Sequence, residues 1–168
     1  MVSVTDYAAV ASAAGIILGT VFVLMQLRHM EMHRNVEISL KLFEWAETER
    51  LRKALRWIEN EFHFQDYDNY KAQELTSHEV GDYPYEVTAF FEQAGFLVEK
   101  KFVDLDVVDD RLGSRIASVW NKLGPWIKAV REQTGDKTFG EHFEKLYERT
   151  MKYMEGRKQH QENKRQTR

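Results

Sequence analysis

The sequence predicts an all-α protein, with one N-terminal transmembrane helix continuing into a small multi-helix cytoplasmic domain. Three observations carry that expectation. The run from Tyr7 to Leu27 holds no charged side chain; no Gly or Pro occurs between Gly19 and Gly81; and apolar residues beyond the run recur at spacings of three and four. The expected organisation is a short N-terminal segment (1–6), a transmembrane helix (7–27), a helical soluble domain (28–155) and a disordered basic tail (156–168).

The apolar run comes first. At about 1.5 Å per helical residue, 21 residues reach about 31 Å, the thickness of a bilayer's hydrocarbon core. A cleaved signal peptide is the rival reading. Against it, the residues before the run carry no Lys or Arg, the run exceeds a usual signal core, and MQLRHMEMHR follows in place of a small-residue cleavage site. Arg28, Arg34 and Lys41 lie just beyond the span and only Asp6 lies before it. The positive-inside rule therefore puts the C-terminal domain in the cytoplasm, behind an inner or plasma membrane, and the N-terminus outside. Arg28 and Arg34 stand where lipid headgroups are in reach.

Beyond the span, the absence of helix breakers predicts that the helix runs on into the cytoplasm. Val36, Leu40 and Phe43 form one stripe. Leu51, Leu55, Ile58 and Phe62 form a second, with Glu47-Thr48-Glu49 as the interruption and Thr48 as N-cap. Residues 63–84 lose clean periodicity and collect turn formers, predicting a loop with at most a helical turn. From Tyr85 to Glu99, Val87, Phe90, Phe91, Ala94, Leu97 and Val98 mark the clearest amphipathic helix. Asp104 is placed to cap a short helix ending near Gly113. Ser114 then opens a longer one with the stripe Ile116, Val119, Trp120, Leu123, Ile127 and Val130, which Gly124-Pro125 should kink or split. Thr138 and Glu141 match a capping box ahead of a final helix carrying Phe143, Leu146, Tyr147, Thr150 and Met154.

Composition narrows the function classes. The chain has no cysteine, which removes disulfides, thiolate nucleophiles and Cys-ligated zinc. The formal net charge of −3 is unevenly spread: residues 1–34 are neutral, residues 156–168 carry +4, and residues 35–155 therefore carry −7. An acidic body repels phosphate backbones, so no nucleic acid is expected as partner. The basic tail, with Arg157, Lys158, Lys164 and Arg165, suits contact with anionic membrane lipid.

Motif by motif, little chemistry accumulates. Ala11, Gly15 and Gly19 form a small-residue stripe of the kind that lets two membrane helices approach closely, favouring self-association or another membrane protein as partner. His29 and His33 have the i, i+4 spacing of a two-imidazole metal grip, but nothing completes the shell, and neither Glu-x-x-His nor HExxH occurs. Asp104, Asp106, Asp109 and Asp110 lack the glycine and terminal glutamate of a calcium loop, and read instead as cap and first-turn residues. GDKT at 135–138 lacks the upstream glycine spacing of a phosphate loop. Phe62, Phe64, Tyr67 and Tyr70 interleave with Asp66 and Asp68, and read as local packing in preference to a binding surface. No catalytic residue, metal ligand or cofactor is therefore expected.

Three stretches carry a family resemblance: the span ending in Gln26-Leu27-Arg28, FEQAGFLVEKKFVD from Phe91 to Asp104, and WNKLGPWIKAVR with Trp120, Leu123, Pro125, Ile127 and Arg131. The chain resembles the small single-pass prokaryotic proteins grouped as domain of unknown function 4760. The resemblance implies an all-helical domain behind a membrane anchor, and transfers no reaction and no catalytic residue. Glu92 and Arg131, the polar members of those motifs, are expected to form a structural ion pair. The leading expectation is a membrane-anchored helical interaction or accessory subunit without its own catalysis. A self-assembling membrane oligomer is one alternative. An enzyme or effector using carboxylate and histidine chemistry, drawing on Glu92, His78 or His142, is another.

Overall fold

The computed structural model describes the backbone of residues 4–76 and 78–166, and side chains at 12–30, 34–72, 80–159 and 164. The chain is all-helical among the described residues: α1 (Val4–Ala46), α2 (Glu49–Asn60), α3 (Tyr67–Thr76), α4 (His78–Gly81), α5 (Tyr83–Glu99), α6 (Leu105–Thr134) and α7 (Glu141–Gln166). It divides into two units, Met1–Ile38 and Ser39–Arg168.

The described part of the first unit lies within α1. Among the described residues this is the one helix long and apolar enough to cross a membrane. Its large apolar side chains are open, with Ile16 at 70% and Leu18 at 69% exposure. As the lack of Gly and Pro after Gly19 predicts, the helix continues unbroken to Ala46.

In the second unit the end of α1 turns a different face inward from the one anticipated. Leu40 remains 57% exposed, while Leu42 and Ala46 are buried. Trp45 meets Phe90 edge-on at 5.2 Å and Phe43 lies under the Arg111 guanidinium at 5.0 Å. Which side of an apolar helix end faces a core depends on where α5 and α6 stand, and spacing alone does not carry that. The break at 47–48 occurs as expected, with Thr48 extended ahead of α2. Its hydroxyl, however, donates back to the Trp45 carbonyl and leaves the α2 amides uncapped.

Helix α5 is the centre of this unit, packed against α7, α2 and α6. Its predicted stripe is buried in full, with Val87, Phe90, Phe91 and Ala94 at 0% exposure. Fully burying a Phe or Val side chain is worth about 1.5–3 kcal/mol, so these positions dominate the core. Phe91 stacks on Phe143 of α7 at 4.7 Å, and Trp120 of α6 meets the same ring edge-on at 4.9 Å. Three helices thus share one aromatic joint. Gly95 lets α5 and α7 close on each other: a Cβ there would lie 2.1 Å from the His142 carbonyl oxygen.

Three other expectations are corrected. The stretch expected as a loop contains α3 (Tyr67–Thr76) and α4 (His78–Gly81), because Asp66 accepts from the Asn69 amide at 2.8 Å, and Tyr70 packs on Trp126 at 5.4 Å while its hydroxyl donates to the Gly81 carbonyl. Helix α6 is continuous through Gly113-Ser114 and Pro125. A helical glycine costs only about 1 kcal/mol and a proline about 3, and the buried run from Ile116 to Val130 offsets both. The tail expected to be disordered is helical to Gln166, with Glu, Gln, Lys and Arg, all good helix formers, making up most of it.

Gly95→Ala is expected to lower the stability of the full chain by about 2 kcal/mol or more, since the obstructing atom is backbone and can move only with α7. Thermal unfolding followed by circular dichroism in detergent checks it, and an unchanged midpoint would refute the close approach.

Candidate functional site

A group of polar side chains with partners on other helices gathers where α5, the end of α6 and the start of α7 meet. The chain leaves α6 through Gly135, left-handed at φ 73°, whose amide bonds the Arg131 carbonyl at 2.9 Å. Asp136 then accepts from both the amide and the hydroxyl of Thr138. Those two bonds, the hydroxyl's first, hold the Asp136 carboxyl below its ordinary range. Gly140, at φ 71°, turns the chain into α7, a backbone conformation that an L side chain adopts only with strain.

The expected capping box does not form, because α7 begins at Glu141 and Thr138 lies two residues before its N-cap position, with its hydroxyl donating to Asp136. A residue from another helix caps α7: the Glu92 Oε2 of α5 accepts from the Phe143 amide at 2.9 Å. A carboxylate at this end is doubly favoured, satisfying an orphan amide and facing the positive end of the helix dipole. Arg131 grips the same junction from α6, its Nε donating to the Phe139 carbonyl at 2.7 Å and its Nη1 to Glu144 at 2.7 Å. The expected Glu92–Arg131 ion pair is therefore absent among the described residues, and each instead secures a different part of the entry to α7.

Beside this junction, His142 Nδ1 lies 3.1 Å from Glu99 Oε2, and Lys145 reaches Glu99 at 3.5 Å and Glu141 at 2.7 Å. The hydrogen bond from His142, assisted by the Lys145 charge and opposed by burial, holds the Glu99 carboxyl below its ordinary value of 4.5. This is a histidine–carboxylate pair, with no hydroxyl nucleophile bonded to either member in the described structure. Among the described residues no three His, Asp or Glu side chains are grouped to hold a metal ion.

A second polar region lies between the first half of α6 and the later part of α7. Asp109, Asp110, Ser114, Met154, Arg157 and Lys158 line a cleft of about 390 Å³. Arg157 bridges Asp109 at 3.1 Å and Asp110 at 3.2 Å. The Asp109 side chain is only 4% exposed, and its Oδ1 has no hydrogen-bond partner. Sequence reasoning places Asp109 and Asp110 in an acidic cluster without seeing their cation, since 47 residues separate Asp110 from Arg157. Asp104 and Asp106 fall at the N-cap and first turn of α6, as expected, but the Asp104 side chain makes no cap hydrogen bond.

The remaining anticipated residues are dispersed. A Cβ at Gly15 or Gly19 would meet nothing within 4 Å, so no contact inside the chain calls for glycine at either position. Ala11 lies on α1 in the same register, with its side chain outside the described residues, as are those of His33, His78 and Arg165. Arg28, His29, Arg34, Lys158 and Lys164 are exposed.

These features define a helical body, braced at one polar junction, in a chain whose first helix is long and apolar enough to span a membrane. A family model described as domain of unknown function (DUF4760) matches residues 13–150, and the chain belongs to that family. No curated protein and no solved structure matches it.

Glu92→Ala should cost about 1 kcal/mol through the lost cap, and Glu92→Gln, whose amide oxygen still accepts, only a fraction of that; urea unfolding of both variants decides it. For Glu99, the lowered folded-state value means that its network contributes stability above the ordinary 4.5 and loses it as pH falls through the folded value. Wild type should therefore exceed Glu99→Gln in stability at neutral pH and match it in strong acid. A constant difference across the range would contradict this assignment.

Proposed function

We propose that this protein is a membrane-anchored accessory subunit, with α1 crossing an inner or plasma membrane and the helical body offering a surface to a partner on the cytoplasmic side. The observation that carries the reading is the pairing of an uncharged span, Tyr7 to Leu27, with a body whose polar clusters are spent on bracing helices against one another. The orientation rests on Arg28, Arg34 and Lys41 following the span, and Arg28 and Arg34 add headgroup contacts of about 1 kcal/mol each.

Gly15 and Gly19 supply the means of assembly. With no described side chain of this chain within 4 Å of a Cβ at either, their face is open to a second helix, and Ala11 extends it by a turn. The occupant is a partner's membrane helix, or a copy of α1 if the assembly is homomeric.

Extraction from the native membrane in mild detergent, followed by native mass measurement, tests the proposal. A second chain in fixed ratio is expected, and Gly15→Leu should weaken its crosslinking while leaving the helical body folded. A strict monomer, or a complex indifferent to Gly15→Leu, would overturn respectively the subunit reading and the role of the glycine face.

A further inference from the structure

The later half of α7 sorts its charges. Arg157, Lys158, Lys164 and Arg165 recur as a basic pair seven residues apart, which on the continuous helix places all four within an arc of about 120°. Gln161 falls in the middle of that arc. Glu148, Glu155 and Glu162 also recur at seven residues, on a separate strip. Residues 155–159 are exposed, beyond the last core contacts at Thr150 and Met154, and Lys164 is exposed as well. Arg157 is half engaged, bridging Asp109 and Asp110 with its side chain still 50% exposed.

We propose that this basic face of α7 is a docking surface for an anionic lipid bilayer. Charge complementarity selects the occupant: the rest of the body, residues 35–155, carries −7, so a partner that wraps the whole domain with negative charge is repelled, whereas a bilayer can meet one helix face alone. The inference rests on the reading of α1 as a bilayer anchor, which keeps an anionic surface permanently within tether range of α7 and lets a small cluster of cations suffice. The helix backbone places the pairs at 157–158 and 164–165 on one face, with Arg157 also bridged to the aspartates of α6.

The chain has no cysteine, so Gln161→Cys gives a single labelling site for an environment-sensitive fluorophore on the full-length protein. The labelled chain is reconstituted into phosphatidylcholine vesicles and into vesicles that also contain phosphatidylglycerol, with symmetric leaflets and with the quencher loaded on both sides of the bilayer, so that its orientation is immaterial. Shielding of the label from a water-soluble quencher is expected only with phosphatidylglycerol. High salt should abolish it, as should the double change Lys164→Gln with Arg165→Gln. The exchange Lys164→Arg with Arg165→Lys should retain it. Equal quenching in both vesicles, or shielding that survives the double glutamine change, overturns the proposal. So does shielding produced by duplex DNA instead of by phosphatidylglycerol. A chain that floats with the vesicles but shows an indifferent label refutes the α7 surface alone, whereas one that fails to float refutes the anchor.

Discussion

The close approach of α5 and α7 is the constraint on which the rest of the helical body depends. At Gly95 the two backbones come nearer than any side chain would permit, and that proximity brings Phe91 flat against Phe143 and the Glu92 carboxylate onto the Phe143 amide. An aromatic pair of this kind adds about 0.5–1.5 kcal/mol beyond simple burial, and a cap about 1 kcal/mol. Each depends on the same register, so a shift of α7 by one residue forfeits the stack, the cap and the Arg131 clamp together. This coupling gives one arrangement of the body its advantage over neighbouring ones.

Seen this way, the polar junction is architectural. Glu92, Arg131, Glu144, His142 and Glu99 are carboxylates and cations of the kinds that perform acid–base chemistry, yet each is engaged in holding a helix end or a loop. Arg131 is the clearest example, with its Nε on the Phe139 carbonyl and its Nη1 on Glu144. The body is thus suited to presenting a rigid surface, in keeping with the accessory role proposed, and its family membership is compatible with that role without specifying it.

Much of this was legible in the residues. The periodicities from Leu51 to Phe62 and from Val87 to Val98 are buried as written, because an apolar stripe at helical spacing has one favourable disposition once any core forms. The motifs around Glu92 and Arg131 marked the right residues for the junction. Their partners were not legible, because Glu92 lies 51 positions from Phe143 and a hydrogen bond to a backbone amide leaves no trace in the identity of the amide's residue. Residues 67–81 were hidden for a related reason: Tyr70 orders that segment through Trp126 and the Gly81 carbonyl, contacts that local turn propensity does not reflect.

Sequence by itself determined the helical class, the uncharged 21-residue run and the excess of cations after it, since each follows from local composition and the length scale of a helix or a bilayer. Tertiary structure alone decided three things: that α6 runs unbroken past Gly113 and Pro125, that Leu42 and not Leu40 turns inward, and that α7 is capped from α5 and not by its own Thr138. In each case local preferences worth about 1 kcal/mol to 3 kcal/mol competed with burial and hydrogen bonding across helices, and the contacts between helices, summed over many residues, prevailed.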